Sequence, residues 1–420
     1  MKSNLVHQQT LNVLKILFYL IPISLIIGNA VLNITTVLII INLIIISFLD
    51  KNFFTKYQKI FLLFLFFLVL LLINSFFSIN KISSFVASLG IIRYFFLMIA
   101  LLYCIENDNL FLEKISKFLF LLLTFVAFDT LIQYFFGKDI FGIENTSSHG
   151  QRLNGPFGDE YVVGSYLSKL FFFSLIYFFI KKKNFIYIFV YLTFILIVVF
   201  LTKERMASLM FLFVSLIFIC LTKKINIKNK ILFLIIFSII VSSLINFNKS
   251  IKDHLVIRSM QQLNIISNPN DKNENFFFKD SQWGAHFITA YHIFKENPVV
   301  GSGIKTFRIE CGEDKYNVID SVNKDIRCNT HPHNIYFEII SESGLLLFLP
   351  FLIINLFIIF KLFRNFFNDT KNSLTLIVIC NFLMLFFPIQ TTGSFFSTWN
   401  GFFYWIVYTL VAYDLRKIKF

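Results

Sequence analysis

The sequence lacks the short motifs that bind nucleotides or activate hydrolytic nucleophiles. Its 420 residues contain no P-loop, no dinucleotide-binding glycine motif, no G-x-S-x-G elbow and no His and Cys cluster with the spacing of metal ligands. These absences exclude a nucleotide-driven module, so the energy for any reaction or transport must come from the substrate or from a gradient. We expect no cofactor and no metal site.

Two further absences concern the organisation of the chain. No small-residue cleavage site follows Met1–Gln9, so we expect no cleavable signal peptide. The chain also has no internal repeat, and its two halves differ in hydropathy. A secondary transporter built from inverted repeats would show the opposite pattern.

Apolar residues are abundant. The chain is 57% hydrophobic and contains 59 Phe, which is more than any soluble core requires. Apolar runs near 20 residues recur along it, and such runs predict transmembrane helices. The predicted fold is an all-α polytopic membrane protein with about 12 spans, at residues 11–28, 31–49, 60–78, 83–105, 114–136, 161–180, 185–202, 205–222, 230–247, 344–363, 373–389 and 397–413.

The spans divide the chain into three regions. Residues 1–247 hold transmembrane helices 1–9, residues 248–343 form one large helical loop domain, and residues 344–420 hold helices 10–12. The net charge of +14 does not indicate a nucleic-acid partner, because Lys and Arg cluster in short loops between apolar runs. With the N-terminus inside, the short inside loops carry several times more Lys and Arg than the short outside loops, which is the positive-inside pattern. The loop domain is then outside, and membrane lipids surround the spans.

Two outside segments are rich in polar residues, Gly137–Glu160 and the loop 248–343. In the loop, apolar spacing predicts a helix over His286–Glu296 that Asn297-Pro298 ends. Cys311 and Cys328 lie 17 positions apart in the same loop, and an oxidising periplasm favours a disulfide between them. Two free thiols are the alternative. The other cysteines fall inside spans and are expected to be buried packing residues, namely Cys104, Cys220 and Cys380.

The segment His331-Pro332-His333-Asn334 concentrates polar chemistry directly before an apolar run. We predict that Thr330 caps a helix running through Ile340, which places His333 near the positive end of the helix dipole. A neutral imidazole there could accept a proton from a sugar hydroxyl, and His331 would support it. The alternative is a capping histidine bonded to a carbonyl. Glu338 and Glu342 share a helix face, on which they either bind substrate or are only solvated.

Several cations could hold an anion. Arg205 begins a span after a very short link, and its guanidinium could pair with phosphate oxygens or simply snorkel to the membrane surface. Arg93 lies within a span, where it lines a cavity or forms a structural ion pair, for example with Asp129. Gln390–Ser394 is a polar outside link that could line a cleft. The weaker candidates for a site role are the cations Arg152, Lys169, Arg258, Arg308 and Arg327 and the carboxylate Glu160.

These residues carry a resemblance to a known family. His333-Asn334 followed after nine residues by Gly344 resembles the signature of O-antigen ligases, although Leu347 stands where that signature has Gly, Thr or Tyr. Further stretches resemble the wider O-antigen ligase and polymerase superfamily, and the likeness covers roughly residues 150–401. These stretches are Arg152–Gly164, Leu201–Ala207, Trp283–Phe307 and Thr391–Gly401.

The resemblance implies a bacterial inner-membrane glycosyltransferase of the GT-C-like type, with its active site on the periplasmic face. Such an enzyme takes a glycan from undecaprenyl diphosphate without a metal and transfers it to lipid A-core or to a lipid-linked glycan. By position, the resemblance makes His333 the catalytic histidine and Arg205 its catalytic arginine partner. The expected substrate-binding residues are Arg152, Glu160, Arg258, Arg308, Arg327, His331, Asn334 and Glu338.

The expected function is that of an O-antigen ligase in lipopolysaccharide biosynthesis. An O-antigen polymerase and a protein O-oligosaccharyltransferase remain alternatives, because the same motifs serve them. A polyprenyl-linked glycan flippase is the alternative from another class, but it predicts broken helices with charges at mid-membrane. A structural scaffold would not depend on His333.

Overall fold

The structure is a computed structural model that describes residues 2–145, 152–262, 281–318, 321, 324–368 and 373–417. The predicted outside segments Gly137–Glu160 and 248–343 lie partly outside the described residues. Within the described ranges the chain is helical and contains no strand. This confirms the prediction of an all-α protein.

The helices follow the apolar runs, because hydrocarbon offers no partner for a backbone N–H or C=O and a helix satisfies both internally. The first part of the chain forms α1 Lys2–Ile27, α2 Asn29–Leu49, α3 Phe53–Phe77, α4 Lys81–Gly90, α5 Ile92–Asn107 and α6 Phe111–Phe136. Next come α7 Val163–Ser174, α8 Ile176–Ile180, α9 Phe185–Leu201, α10 Arg205–Leu221 and α11 Ile227–Phe247. The loop domain contributes α12 Lys249–Ile251, a π-helix at Lys252–Ile257, α13 Arg258–Gln262, α14 Gln282–Glu296 and α15 Phe307–Glu310. The last helices are α16 Ile335–Asn368, α17 Ser373–Phe386 and α18 Thr398–Lys417.

By length and composition, eight segments of the described residues could cross a membrane, and three further apolar helices among them are shorter. Each of the twelve predicted spans coincides with a helix or a pair of helices. The chain is therefore a multi-pass membrane protein. The eight segments are Leu5–Ile27, Asn29–Leu49, Phe53–Phe77, Lys81–Asn107, Phe111–Phe136, Val163–Ile180, Ile227–Phe247 and Ile335–Asn368, and the shorter helices are α9, α10 and α17.

The connecting loops gather at the two ends of the helix bundle. At one end Ser78, at the tip of α3, bonds to the backbone of Ser302, and Thr392 bonds to His333. We name this the His333 end. At the other end Arg416 and Lys56 both pair with Glu106, and we name this the Glu106 end. The loops that the sequence places outside meet at the first end, and those that it places inside meet at the second.

A kink in α16 receives the loop domain at the His333 end. Gly344 has φ 58° and ψ −165°, a conformation open to glycine alone. A Cβ on it would lie 2.4 Å from the Val299 carbonyl oxygen, and one on Gly301 would lie 2.5 Å from the Gly344 nitrogen. The freed backbone groups pair across this contact: Leu345 N donates to Pro298 O, and Gly303 N donates to Glu342 O. The glycine of the sequence signature is thus the place where two backbones touch.

The loop domain has a small core of its own, in which Ala285, Ile293 and Phe307 pack around Cys311. Cys311 forms a disulfide with Cys328, with their Cα atoms 5.0 Å apart.

The three free cysteines do not all behave as predicted. Cys104 and Cys380 are buried, as expected for packing residues. Cys220 is exposed, so the prediction of burial was wrong for it: it lies in the last turn of α10, on a side that no described helix covers.

Candidate functional site at the His333 end

The helix beside the histidines begins later than predicted. The Asn334 side chain, and not Thr330, caps α16, because Asn334 Oδ1 accepts hydrogen bonds from Tyr336 N at 2.9 Å and Phe337 N at 3.2 Å. Thr330 instead lies 3.0 Å from the His331 ring. The predicted cap at Thr330 was therefore wrong. Asn334 caps the helix in preference to Thr330 because its amide also donates to the Pro388 and Gln390 carbonyls. These bonds anchor the turn to the link before α18.

His333 occupies a strained and enclosed position just before that cap. Its φ of 58° is left-handed, which is uncommon for a side chain other than glycine. Its ring lies 4.2 Å from the His331 ring and 4.7 Å from the Trp283 ring, measured between centroids. Its Nε2 is buried and has no partner among the residues that the structure describes. Burial, and then the neighbouring His331 and His286, lower the pKa of His333 to about 3. The ring is therefore neutral near pH 7.

Both nitrogens of His331 are already bonded. Nε2 lies 3.1 Å from the Thr392 carbonyl, which can only accept, so Nε2 carries the proton. Nδ1 then accepts from the Thr330 hydroxyl at 3.0 Å. Burial lowers the pKa of His331 to about 4, against the opposing bond to Thr392. His331 therefore supports the site and has no lone pair to offer.

His286 was not predicted as a site residue. It lies one helical turn after Trp283 in α14, and its ring centroid is 5.3 Å from that of His333. Its Nδ1 lies 2.8 Å from the Arg327 carbonyl, so Nδ1 carries the proton. Arg327 itself is held by the Lys324 and Glu313 carbonyls, next to the disulfide. The spacing of His286 from Trp283 was the only signal of it in the sequence.

The polar link before α18 holds these residues together. Thr392 N donates to His333 O at 2.7 Å. Glu338, predicted as a substrate ligand, is 1% exposed and accepts from Ser394 Oγ at 2.5 Å and Phe395 N at 2.7 Å. The structure thus gives Glu338 a positioning role. The link Gln390–Ser394, which the sequence suggested as a cleft wall, bonds to both histidines through Thr392.

A second cluster collects three of the cations noted in the sequence, together with Lys203. Burial and then the positive charges of Arg258, Arg205, Arg152 and Lys203 lower the pKa of His254 to about 4. Arg152 is oriented by the Tyr161 carbonyl at 2.8 Å. We name Arg152, Arg205 and Arg258 the arginine group. They come from three separate segments, so the fold brings together what the sequence showed only as isolated candidates. His254, which lies four residues before Arg258, was missed.

A buried carboxylate lies within reach of the charge of Arg152. Glu204 is 7% exposed and accepts from Gly164 N at 2.6 Å and Ser165 N at 3.0 Å, which caps the start of α7. Burial raises the pKa of Glu204, and the charge of Arg152 opposes this. One turn further along α7, Lys169 donates to Asn400 Oδ1 at 2.9 Å.

This hydrogen-bonded path continues from Asn400 to the histidines. The Asn400 amide donates to Ser397 Oγ, and Ser397 Oγ donates to the Ser394 carbonyl at 2.9 Å. Ser394 is the partner of Glu338. These hydrogen bonds join Lys169 to the link that bonds to His333, whereas His333 and Arg205 belong to separate clusters.

The remaining candidates lie elsewhere. Arg93 bonds to Asn33, Tyr94 and Thr398, so the suggested ion pair with Asp129 was wrong. Glu160 is exposed at the end of a turn. Arg308 lies close enough for its charge to act on His331 and on Lys305, a residue that the sequence reading missed. Among the described residues, no group of three or more His, Cys, Asp or Glu side chains could hold a metal ion.

Comparison with known proteins identifies a family for part of the chain. Residues 188–352 match the model of the family described as O-antigen ligase. The matched segment runs from α9 into α16 and includes Arg205, Arg258, Arg308 and His333. No curated protein matches the chain. Together with the motifs around His333, the family match supports the assignment of this membrane protein to the O-antigen ligase superfamily and supports a function of ligase or polymerase type.

Proposed function

We propose that this chain is a bacterial inner-membrane glycosyltransferase of O-antigen ligase type. It moves a glycan from undecaprenyl diphosphate to an acceptor sugar hydroxyl at the periplasmic face, with lipid A-core as acceptor. As the resemblance implies, the reaction proceeds without a metal. The family match and the multi-pass fold support the general class. The donor, the acceptor and the compartment are part of the proposal.

The unpartnered Nε2 of His333 carries this proposal. A buried polar atom without a partner costs free energy, and a neutral imidazole nitrogen in that state is a ready proton acceptor. His331 cannot replace it, because both of its ring nitrogens are already bonded, to Thr330 and to Thr392. With its proton on Nδ1, the His333 ring presents the Nε2 lone pair to an acceptor hydroxyl.

The reaction balances with the groups present. The acceptor hydroxyl oxygen bonds to the anomeric carbon of the donor glycan and gives its proton to His333 Nε2. The bond between that carbon and the diphosphate oxygen breaks, and its electron pair leaves with the lipid diphosphate. The arginine group, whose three positive charges all act on His254, stabilises the charge that develops on this leaving group. Cleavage of the bond between the glycan and the diphosphate supplies the free energy for transfer, so no nucleotide is needed.

Substitution of His333 tests the proposal. With purified enzyme and an undecaprenyl-diphosphate-linked glycan, His333→Ala should lower the transfer rate by about 10²–10⁴-fold, the usual contribution of a general base. His292→Ala is the matched control, since His292 lies in the same loop domain and contacts only Tyr291 among the described rings. Transfer at the normal rate by His333→Ala would overturn the proposal. Activity that disappears when divalent cations are chelated would overturn its metal-free form.

A gel of surface lipopolysaccharide from a deletion strain separates ligase from polymerase. Loss of all attached glycan indicates a ligase, whereas a core that carries a single repeat indicates a polymerase. Both outcomes keep the chemistry of His333 and the arginine group. An unchanged gel would count against both.

A further inference from the structure

Two cations near the histidines form no ion pair within the described part of the chain. Lys305 is half-buried with a left-handed φ of 61°, and Arg308 is exposed on the short α15. Neither side chain forms an ion pair or donates a hydrogen bond among the described residues. Burial and then the charges of Arg308 and Arg93 lower the pKa of Lys305, whereas the charges of Glu342 and Glu338 oppose this shift.

The charges of the nearby carboxylates Glu342 and Glu338 act on Lys305, but their oxygens bond to other groups and form no ion pair with it. Glu342 is fully buried, and its two oxygens accept from the backbone nitrogens of Lys305 at 2.7 Å and Phe307 at 3.0 Å. Glu338, one turn earlier, holds Ser394 and Phe395. Because Lys305 and Arg308 form no ion pair with these carboxylates, their N–H groups remain available to bind an anion.

The position of this pair differs from that of the arginine group. Glu342 ties Lys305 to the kinked part of α16, and Ser84 Oγ ties the preceding Ile304 carbonyl to α4 at 3.0 Å. The arginine group instead adjoins the start of α7, through Glu204. The charge of Arg308 reaches His331, whose ring centroid is 4.2 Å from that of His333. An anion at Lys305 would therefore lie on the histidine side of the site.

We propose that Lys305 and Arg308 form a second anion site, which binds a phosphate or diphosphate group carried by the acceptor glycan. This rests on the proposed function, in which the arginine group holds the diphosphate of the donor. A transferase must hold donor and acceptor at once, and the hydroxyl that attacks must reach His333. A phosphorylated core sugar and a second lipid-linked glycan both present the required chemistry.

Titration with inorganic diphosphate tests the site without any turnover. In nanodiscs of zwitterionic lipid, calorimetry should detect two binding events. The double variant Lys305→Gln, Arg308→Gln should remove one event, and Arg205→Gln should remove the other. Lys295→Gln is the matched control, since it removes one exposed positive charge from α14 of the same loop domain. A single event that only Arg205→Gln removes would overturn the second site and leave the proposed function intact.

Acceptor kinetics then identify the source of the anion. Arg308→Gln should raise the KM for a phosphorylated acceptor by about 10-fold, the weight of one charge-assisted hydrogen bond. It should leave the KM for the same acceptor unchanged after enzymatic removal of its phosphates. Equal effects on both acceptors would overturn the assignment. Loss of the second binding event in nanodiscs containing phosphatidylglycerol would also overturn it, because a lipid headgroup would then be the occupant.

Discussion

The two ends of the helix bundle use their carboxylates in different ways. At the Glu106 end carboxylates pair with cations: Glu106 lies 3.1 Å from Lys56 and 3.3 Å from Arg416, and Asp108 lies 2.8 Å from Lys15. At the His333 end the buried carboxylates of Glu204, Glu338 and Glu342 accept from backbone nitrogens. Lys305 and Arg308 at that end form no ion pair among the described residues.

This difference suits the Glu106 end to a structural role and the His333 end to the proposed binding of substrate. Paired charges at a membrane boundary need nothing further to be stable. Carboxylates bonded to backbone nitrogens fix loop geometry and leave nearby Arg and Lys side chains to attract an anion. The same two residue types thus tie loops together at one end and prepare a binding site at the other.

Gly344→Ala should give the largest effect on stability, and only at the His333 end. The new Cβ would meet the Val299 carbonyl and would sit in a conformation that alanine avoids, so we expect a loss of about 3 kcal/mol in the free energy of unfolding. Thermal unfolding in detergent measures it. Gly90→Ala is the control, since nothing lies within 4 Å of its new Cβ, and it should stay within about 1 kcal/mol of wild type. Equal losses in both variants would contradict the close contact at Gly344.

Glu342→Gln and Glu106→Gln compare the two uses of a carboxylate directly. Glutamine at 342 has one acceptor oxygen where two backbone N–H groups need one each, so a buried N–H loses its partner at a cost of about 1–3 kcal/mol. Glutamine at 106 breaks partly exposed ion pairs, which contribute about 0–1 kcal/mol. Chemical unfolding of both variants tests this order, and a larger loss for Glu106→Gln would reverse our reading of the two ends.

Acidification should lower the free energy of unfolding in two pH ranges, one for each end of the bundle. The smaller loss should occur in the lower pH range, at the Glu106 end. His331 and His333 have pKa values of about 4 and about 3 when folded, below the ordinary 6.5, so the unfolded chain binds protons first. Their contribution is complete above pH 6.5 and is lost as the pH falls through these values. The hydrogen bond from Lys15 holds the pKa of Asp108 below its usual 3.8, so its contribution is lost only below that pH.

Unfolding temperatures measured between pH 7 and pH 3 test these windows. His331→Gln should flatten the upper part of the curve, and Lys15→Gln should flatten only the lowest part. If His331→Gln left the curve between pH 6.5 and pH 4 unchanged, the histidines would not be its source.

The sequence predicted what depends on neighbours along the chain. Apolar runs predicted the membrane helices, and apolar spacing predicted the helix at His286–Glu296, which the structure extends back to Gln282. The cap at Thr330 was wrong because Asn334 gains two carbonyl partners from residues more than fifty positions away. Long-range partners of that kind leave no local pattern.

The grouping of the candidate residues was equally out of reach of the sequence. Arg152, Arg205 and Arg258 were named as separate candidates, and only the fold shows that their charges converge on His254. Glu204 went unassigned because its role depends on the backbone of Gly164 and Ser165, forty residues earlier. Side-chain type alone does not show which backbone groups a carboxylate will meet.

The link at residues 392–395 is made late in synthesis, and the proposed site is incomplete until it folds. His331, His333 and Glu338 all take partners from residues 392–395, which leave the ribosome after α17 has been made. Until that link is in place, the turn before α16 lacks its anchor and His333 has no fixed orientation. A nascent chain can therefore insert most of its helices before the proposed site exists, and the final hairpin of α17 and α18 completes that site.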